Sequence, residues 1–164
     1  MSTPVTDSLP DALRELRARP LFAMRLDVRG PMPLIATPGA ARRIGVVTGG
    51  SFDGERLAGA VMDGGSDWQT LKADGGVTLD VRLILKTDDD AIVAMTYGGI
   101  RHAAADVLAR IDGGEVVEPS SVYFRSLVRF ETAAPKYDWL NHVVAVGIGH
   151  RRADGPVYNV FEVL

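Results

Sequence analysis

The chain has 164 residues, 46% of them hydrophobic, and its 18 basic and 21 acidic side chains give a formal charge of −3. That length suits one domain with a core of its own, and the composition is not that of a disordered chain. Mild acidity argues against phosphate-backbone binding, and the absence of cysteine removes disulfides, thiol nucleophiles, zinc ribbons and cysteine-ligated iron–sulfur clusters.

The N-terminal stretch lacks an apolar run fit for a secretory signal and carries Asp7 and Asp11 early. No stretch reaches the roughly 18–20 apolar residues of a membrane span, so the expectation is a cytoplasmic protein without membrane or nucleic-acid partners. Residues 8–18 read as a helix, with Asp7 or Ser8 as cap, Pro10 in the first turn and Leu9, Leu13 and Leu16 at helical spacing. Pro20 ends it. Residues 1–20 are therefore expected to form a helical extension, and residues 21–164 a single β domain.

From Leu21 the period changes to two. Phe22, Met24, Leu26 and Val28 alternate with Arg25, Asp27 and Arg29, which predicts a half-buried strand before a turn at Gly30-Pro31. Strands follow near 43–52, 56–62 and 67–72, punctuated by Asp53-Gly54, Asp63-Gly64-Gly65 and Asp74-Gly75-Gly76. Residues 77–87 and 91–101 read as a long hairpin across Asp88-Asp89-Asp90. A second, short helix spans 103–111 and stops at Gly113-Gly114. Strands at 122–132, 143–151 and 157–163 complete the chain, with a short turn over 135–141.

Eight or nine short-spaced strands imply a sandwich or a closed barrel, and their length favours the barrel. On 78–86, Leu79, Val81, Leu83 and Leu85 oppose Asp80, Arg82 and Lys86. On 122–132, Tyr123, Arg125, Arg129 and Glu131 oppose Val122, Phe124, Val128 and Phe130. Alternation alone leaves two arrangements open: a polar face lining a lumen, or an apolar interior with a solvated exterior.

Gly49-Gly50-Ser51-Phe52-Asp53 lacks the last glycine of a nucleophile elbow, and Gly147-Ile148-Gly149 lacks the third glycine of a dinucleotide fingerprint. There is no phosphate loop, and His102, His142 and His150 have no metal-ligand spacing, so neither metal nor cofactor is expected. What stands out is a set of polar and aromatic positions. Asp67 beside Trp68, Arg82 near Asp80, Tyr97 before two glycines, Tyr123 and Arg125, and Trp139 with Asn141 suit a pocket for a small ring or carboxylate. Asp67, Tyr97 and Arg125 are the catalytic candidates; Trp68, Arg82, Tyr123, Trp139 and Asn141 are the ligand-binding ones. A pocket made this way requires Asp67, Arg82, Tyr97 and Arg125 to converge. The structural alternative is a set of ion pairs and aromatic barrel plugs.

The ordered motifs G-G-S-F-D-G (49–54), L-A-G (57–59), G-G-S-D-W (64–68), D-V-R (80–82), Y-G-G (97–99), Y-F-R (123–125), R-F-E-T (129–132) and Y-D-W-L-N (137–141) together resemble the domain-of-unknown-function family numbered 3237, also labelled uncharacterised-protein family 0311. The resemblance runs from about residue 21 to 164. It implies a mainly β fold, an antiparallel calycin-like β-barrel with an enclosed cavity, often a homodimer, with the N-terminal helix added to the common core. It implies no particular chemistry.

Three functions are compatible with these residues. The barrel binds a small, aromatic or cyclic and in part anionic molecule in its lumen. It is a cofactor-free lyase, isomerase or cyclase, with Asp67 moving a proton while Tyr97 or Tyr123 and Arg125 stabilise an enolate or phenolate. Or it is an assembly subunit with a solid core. Any chemistry must run on carboxylate, phenol and guanidinium.

Overall fold

Nine antiparallel strands follow the alternation with little deviation. The structure, a computed structural model, describes residues 4–164. The strands are β1 (Ala18–Thr37), β2 (Ala40–Asp53), β3 (Gly59–Val61), β4 (Gly65–Lys72), β5 (Val77–Thr87), β6 (Ile92–Ala103), β7 (Val122–Glu131), β8 (Ala145–Arg152) and β9 (Gly155–Val163). The helix α1 (Ala105–Asp112) joins β6 to β7.

The strands close into an eight-strand antiparallel barrel in the order β1-β2-β4-β5-β6-β7-β8-β9, with β9 returning to β1. β3 is the ninth strand. It pairs with β2 and β5, as β4 does further along the same strands, so β3 and β4 fill one position of the wall in two pieces.

Gly30-Pro31 is no turn. β1 continues past it as a hairpin arm on β2, and the reversal comes at Pro38-Gly39, where Gly39 adopts φ +86°. The register shifts between Arg29 and Met32 absorb the irregularity, and β1 pairs with β9 only as far as Arg25. Beyond that point one edge needs no N–H, so proline costs no ladder hydrogen bond there.

The N-terminal helical segment takes the form of two 3-10 turns, Val5–Ser8 and Asp11–Leu13. Leu13 and Leu16 are exposed, so the apolar spacing finds no surface to bury against, and a stripe without a partner does not sustain a longer helix. Residues 1–3 of the expected extension lie outside the described residues.

The apolar face is the interior. Val77, Leu79, Val81, Leu83 and Leu85 are buried, while Asp80, Arg82, Ile84 and Lys86 are exposed. Phe22 packs against Phe52 and Phe130 at ring-centroid distances of 5.4 and 6.1 Å. This part of the lumen is filled solid. A 3-10 helix, Pro135–His142, caps it by burying Tyr137 and Leu140.

Polar contacts hold that cap. Tyr137 Oη and the Thr87 hydroxyl both donate to Asp89 Oδ1, and Lys136 Nζ donates to Asp89 Oδ2 at 2.6 Å. Beside it, Glu162 is buried and its Oε2 accepts from Arg19 at 2.9 Å and Arg56 at 2.8 Å. The Arg56 guanidinium also stacks on Trp139 at 3.4 Å.

Candidate functional site

The other end of the barrel is open. β4 turns Gly65, Asp67, Gln69 and Leu71 inward, because its alternate residues, Trp68 among them, face out. On β6 the inward parity runs Val93, Met95, Tyr97, Gly99 and Arg101, so the face that is apolar at the capped end finishes in a phenol and a guanidinium. Arg43 of β2, Arg151 of β8 and Tyr158 of β9 join them in lining a cavity of about 300 Å³, whose rim also carries Arg29, Arg152 and Asp154. That volume is at the small end of the range for small-molecule sites.

The floor is aromatic. Tyr158 lies 5.5 Å from Tyr97 and 5.4 Å from Phe124, both edge-on. Gly149 makes this possible: a Cβ there would meet the Phe124 ring at 2.8 Å.

One hydrogen-bonded chain crosses from β2 to β4. Arg43 Nε donates to Gln69 Oε1 at 2.7 Å, and Gln69 Nε2 donates to Asp67 Oδ2 at 2.6 Å. Asp67 Oδ1 is buried and makes no hydrogen bond of acceptable geometry, and neither does Arg101 Nε. They are the two buried side-chain polar atoms left unsatisfied among the described residues. Both residues line the same cavity. A native protein seldom leaves such groups idle, since each forfeits its hydration without compensation.

Burial pushes the Asp67 carboxyl up to about 6, and the Gln69 hydrogen bond, the charges of Arg101 and Arg43 and the Asp80 amide only partly offset it. Burial also lowers Arg101 and Arg43; Arg151 repels both, and Arg43 repels Arg101. The Tyr97 phenol is raised well above its usual value by burial first, then by Tyr158, to which it is hydrogen-bonded. Tyr158 is raised as well, again mainly by burial. At neutral pH the site therefore holds a carboxylate close to its own pKa, two firmly protonated phenols and several guanidiniums. It can accept a proton at Asp67 and donate hydrogen bonds from the other groups.

The four residues required to converge do not. Asp67 and Tyr97 line the cavity, while Arg82 and Arg125 sit on outward-facing positions of β5 and β7. Arg125 borders an open groove of about 750 Å³ outside the barrel, and Arg82 and Asn141 border another of about 920 Å³. Both grooves are larger than the lumen, but neither holds a buried unsatisfied group. Trp68 and Tyr123 are 50% and 56% exposed. Tyr123 takes the Arg125 guanidinium over its ring at 5.1 Å. Trp139 and Asn141 belong to the cap, where Asn141 donates to the Thr132 carbonyl and accepts from its N–H, both at 2.9 Å.

Sequence reading passed over Arg43, Gln69, Arg101, Arg151 and Tyr158. Arg101 had a usable signal: it continues the parity of Val93, Met95 and Tyr97, so a charge follows on an otherwise apolar face. Gln69 shares the parity of Asp67. Arg43, Arg151 and Tyr158 had none, because their strands join the site only through barrel closure.

Comparison with known proteins agrees with the fold. The family model described as "Protein of unknown function (DUF3237)" matches residues 16–163. The chain belongs to this family. Its relatives include the UPF0311 protein RPA1785 of Rhodopseudomonas palustris, 37% identical over 123 residues, which are 75% of this chain and 80% of the relative. The crystal structure of that conserved protein of unknown function superposes with a TM-score of 0.88 and 32% identity, covering 92% of this chain and 99% of the other. A β-barrel-like protein from Acinetobacter baumannii gives a TM-score of 0.78 at 33% identity, covering 92% and 97%. A more distant relative is the hydroalkoxylation enzyme phnH of Penicillium herquei, 29% identical over 103 residues, 63% of this chain and 50% of that one. The family as described carries no activity, so function has to be argued from the cavity. No helix among the described residues is long and apolar enough to cross a membrane.

Proposed function

We propose that the lumen binds a small ring-bearing molecule and catalyses a cofactor-free proton transfer on it. The observation that carries this reading is Asp67 Oδ1, buried without a hydrogen-bond partner on a residue that lines the same cavity as Arg101, whose Nε is likewise unpartnered. A general base works best with a pKa near the working pH, and that of Asp67 is about 6. Asp67 takes the proton from carbon or hydroxyl. Tyr158, which accepts from Tyr97, donates a hydrogen bond to the oxyanion that develops, and Arg101 supplies its counter-charge.

The name of the distant relative indicates a direction. Hydroalkoxylation adds a hydroxyl across a C=C bond: the O–H bond and the C=C π bond break, a C–O bond and a C–H bond form, and nothing is released. Such a reaction needs one group to take the hydroxyl proton and one to return a proton to carbon. Asp67 serves both steps in turn, as base and then as conjugate acid.

The test uses purified protein in D₂O with small hydroxylated enones, following cyclisation and deuterium incorporation by NMR. Wild type should incorporate deuterium at carbon, and Asp67→Asn should lose at least a hundredfold in rate while still binding. Equal rates in the two proteins would remove Asp67 as the base. Binding without turnover in either leaves the barrel as a ligand-binding protein alone. The homodimer expected from the family resemblance is carried forward as part of this proposal and is tested by the mass of the particle in solution.

A further inference from the structure

Three arginines reach the lumen from separate strands: Arg43 from β2, Arg101 from β6 and Arg151 from β8. They are close enough to disfavour one another's charge. Among the described residues, none of the three forms an ion pair with a carboxylate, whereas Arg19, Arg25, Arg56 and Arg152 each do within 4 Å. Arg43 has only the neutral Gln69 as hydrogen-bond acceptor, and Arg101 Nε has none. The acids in reach are Asp67 and Asp112 of α1; Asp154 also lines the cavity but is paired with Arg152 at 3.2 Å, and Arg29 adds a further cation to the lining.

Gathering like charges in a partly buried cavity costs free energy through desolvation and mutual repulsion. The guanidinium fork is the side chain best suited to gripping a planar carboxylate through paired N–H donors. The contrast with Glu162 is informative. There, at the capped end, two arginines and one buried carboxylate satisfy each other. At the open end five arginines line the cavity against Asp67 and Asp154, so the cations outnumber the acids, and Arg43, Arg101 and Arg151 have no carboxylate partner among the described residues.

We infer that Arg43, Arg101 and Arg151 form an oxyanion subsite at the mouth of the lumen, and that the ligand is a small aromatic or cyclic carboxylate whose charged end lies on these arginines while its ring lies on Tyr97, Tyr158 and Phe124. This rests on the lumen being the functional site, and it names the substrate class of that site. The arrangement sorts ligands by charge, because a neutral ring compound of the same shape leaves the arginines without a partner.

The test compares benzoate with benzamide, which differ little in shape and by one charge, in calorimetric titrations of the full chain. Wild type should bind benzoate at least tenfold more tightly than benzamide. In Arg101→Gln, and more so with Arg43→Gln added, the ratio should fall towards one while benzamide affinity is kept, and Arg101→Lys should retain an intermediate preference. Circular dichroism confirms folding of each variant, and the retained benzamide affinity reports an intact lumen. Asp67→Asn should tighten benzoate binding, because it removes a negative charge from the cavity. Equal affinity for the two probes in wild type, binding of neither, or a ratio that ignores the arginine substitutions overturns the subsite. Inorganic phosphate binding as tightly as benzoate overturns the ring-carboxylate assignment. The proton-transfer reading fails separately, on deuterium incorporation that survives Asp67→Asn.

Discussion

Gln69 Nε2 donates to Asp67 Oδ2 at 2.6 Å along one inward face of β4, and this bond occupies one carboxylate oxygen while the other is buried without a hydrogen-bond partner. Gln69 is itself oriented by Arg43 at 2.7 Å, so the carboxylate is aimed by a neighbour that carries no net charge. A cation in that place would hold Asp67 ionised and weaken it as a base. The amide also favours the ionised form, but through a hydrogen bond alone and without a full charge.

Gln69→Ala therefore tests positioning. Losing the amide removes a hydrogen bond to the ionised form, so the pKa of Asp67 should rise further above about 6. The pH–rate profile should move to higher pH in the variant. A profile that stays in place while the rate falls would reduce Gln69 to a packing role.

Asp67 should also leave a mark on stability. Its folded pKa lies above the unfolded value, so the folded protein binds the extra proton. The favourable contribution is complete below about pH 4 and disappears as pH rises through about 6. A shift from 3.8 to about 6 corresponds to about 3 kcal/mol at neutral pH. Asp67→Asn should recover much of that at pH 7 and flatten the stability slope between pH 4 and 6. Denaturant unfolding at several pH values measures it, and an unchanged slope would show that Asp67 is not the residue titrating there.

Gly45 lies opposite Asp67 across the β2–β4 ladder, and a Cβ there would stand 3.4 Å from Val28 and 3.6 Å from the Asp67 Cβ. Gly45→Val should consequently fold, at a cost of about 1–3 kcal/mol, with its branches entering the cavity. Ligand affinity should fall at least tenfold, as read by titration. Unchanged affinity would place the ligand elsewhere.

The outer positions give the opposite expectation. Arg82→Ala, Tyr123→Ala and Arg125→Ala should leave lumen binding unaltered and stability within about 0.5 kcal/mol, since each sits on a solvated outer face. A loss of affinity in any of them would move the site to the external grooves.

Glu162 is the structural counterpart. Glu162→Gln leaves Arg19 and Arg56 without their shared carboxylate and should cost about 1–3 kcal/mol. Thermal unfolding should report the loss, and lumen affinity should be unchanged because the triad lies at the capped end.

Local chemistry was enough to determine most of the strands, their apolar faces and the Asp-Gly turns, but not the run of β1 past Gly30-Pro31 to a reversal at Pro38-Gly39. A period of two is written residue by residue, and Asp-Gly steps need no distant partner to act as turns. The long hairpin over 77–101 follows from single strands, and parity puts Asp67 and Tyr97 each on one face of its strand without saying whether that face is the inner one. The helix expected at 8–18 failed for the complementary reason. Leu13 and Leu16 have helical spacing, but no surface meets them. Tertiary structure alone decided which side of the wall is inside, and with it the fate of Arg82, Tyr123 and Arg125. Alternation separates two faces but cannot say which one closes on itself. Closure places the apolar set inward, because burying it recovers far more free energy than burying the charged set. The same closure brings Arg43, Arg101, Arg151 and Tyr158 from four strands to one cavity around Asp67. The 18 basic and 21 acidic residues nearly balance over the whole chain, yet at the open end of the lumen they do not.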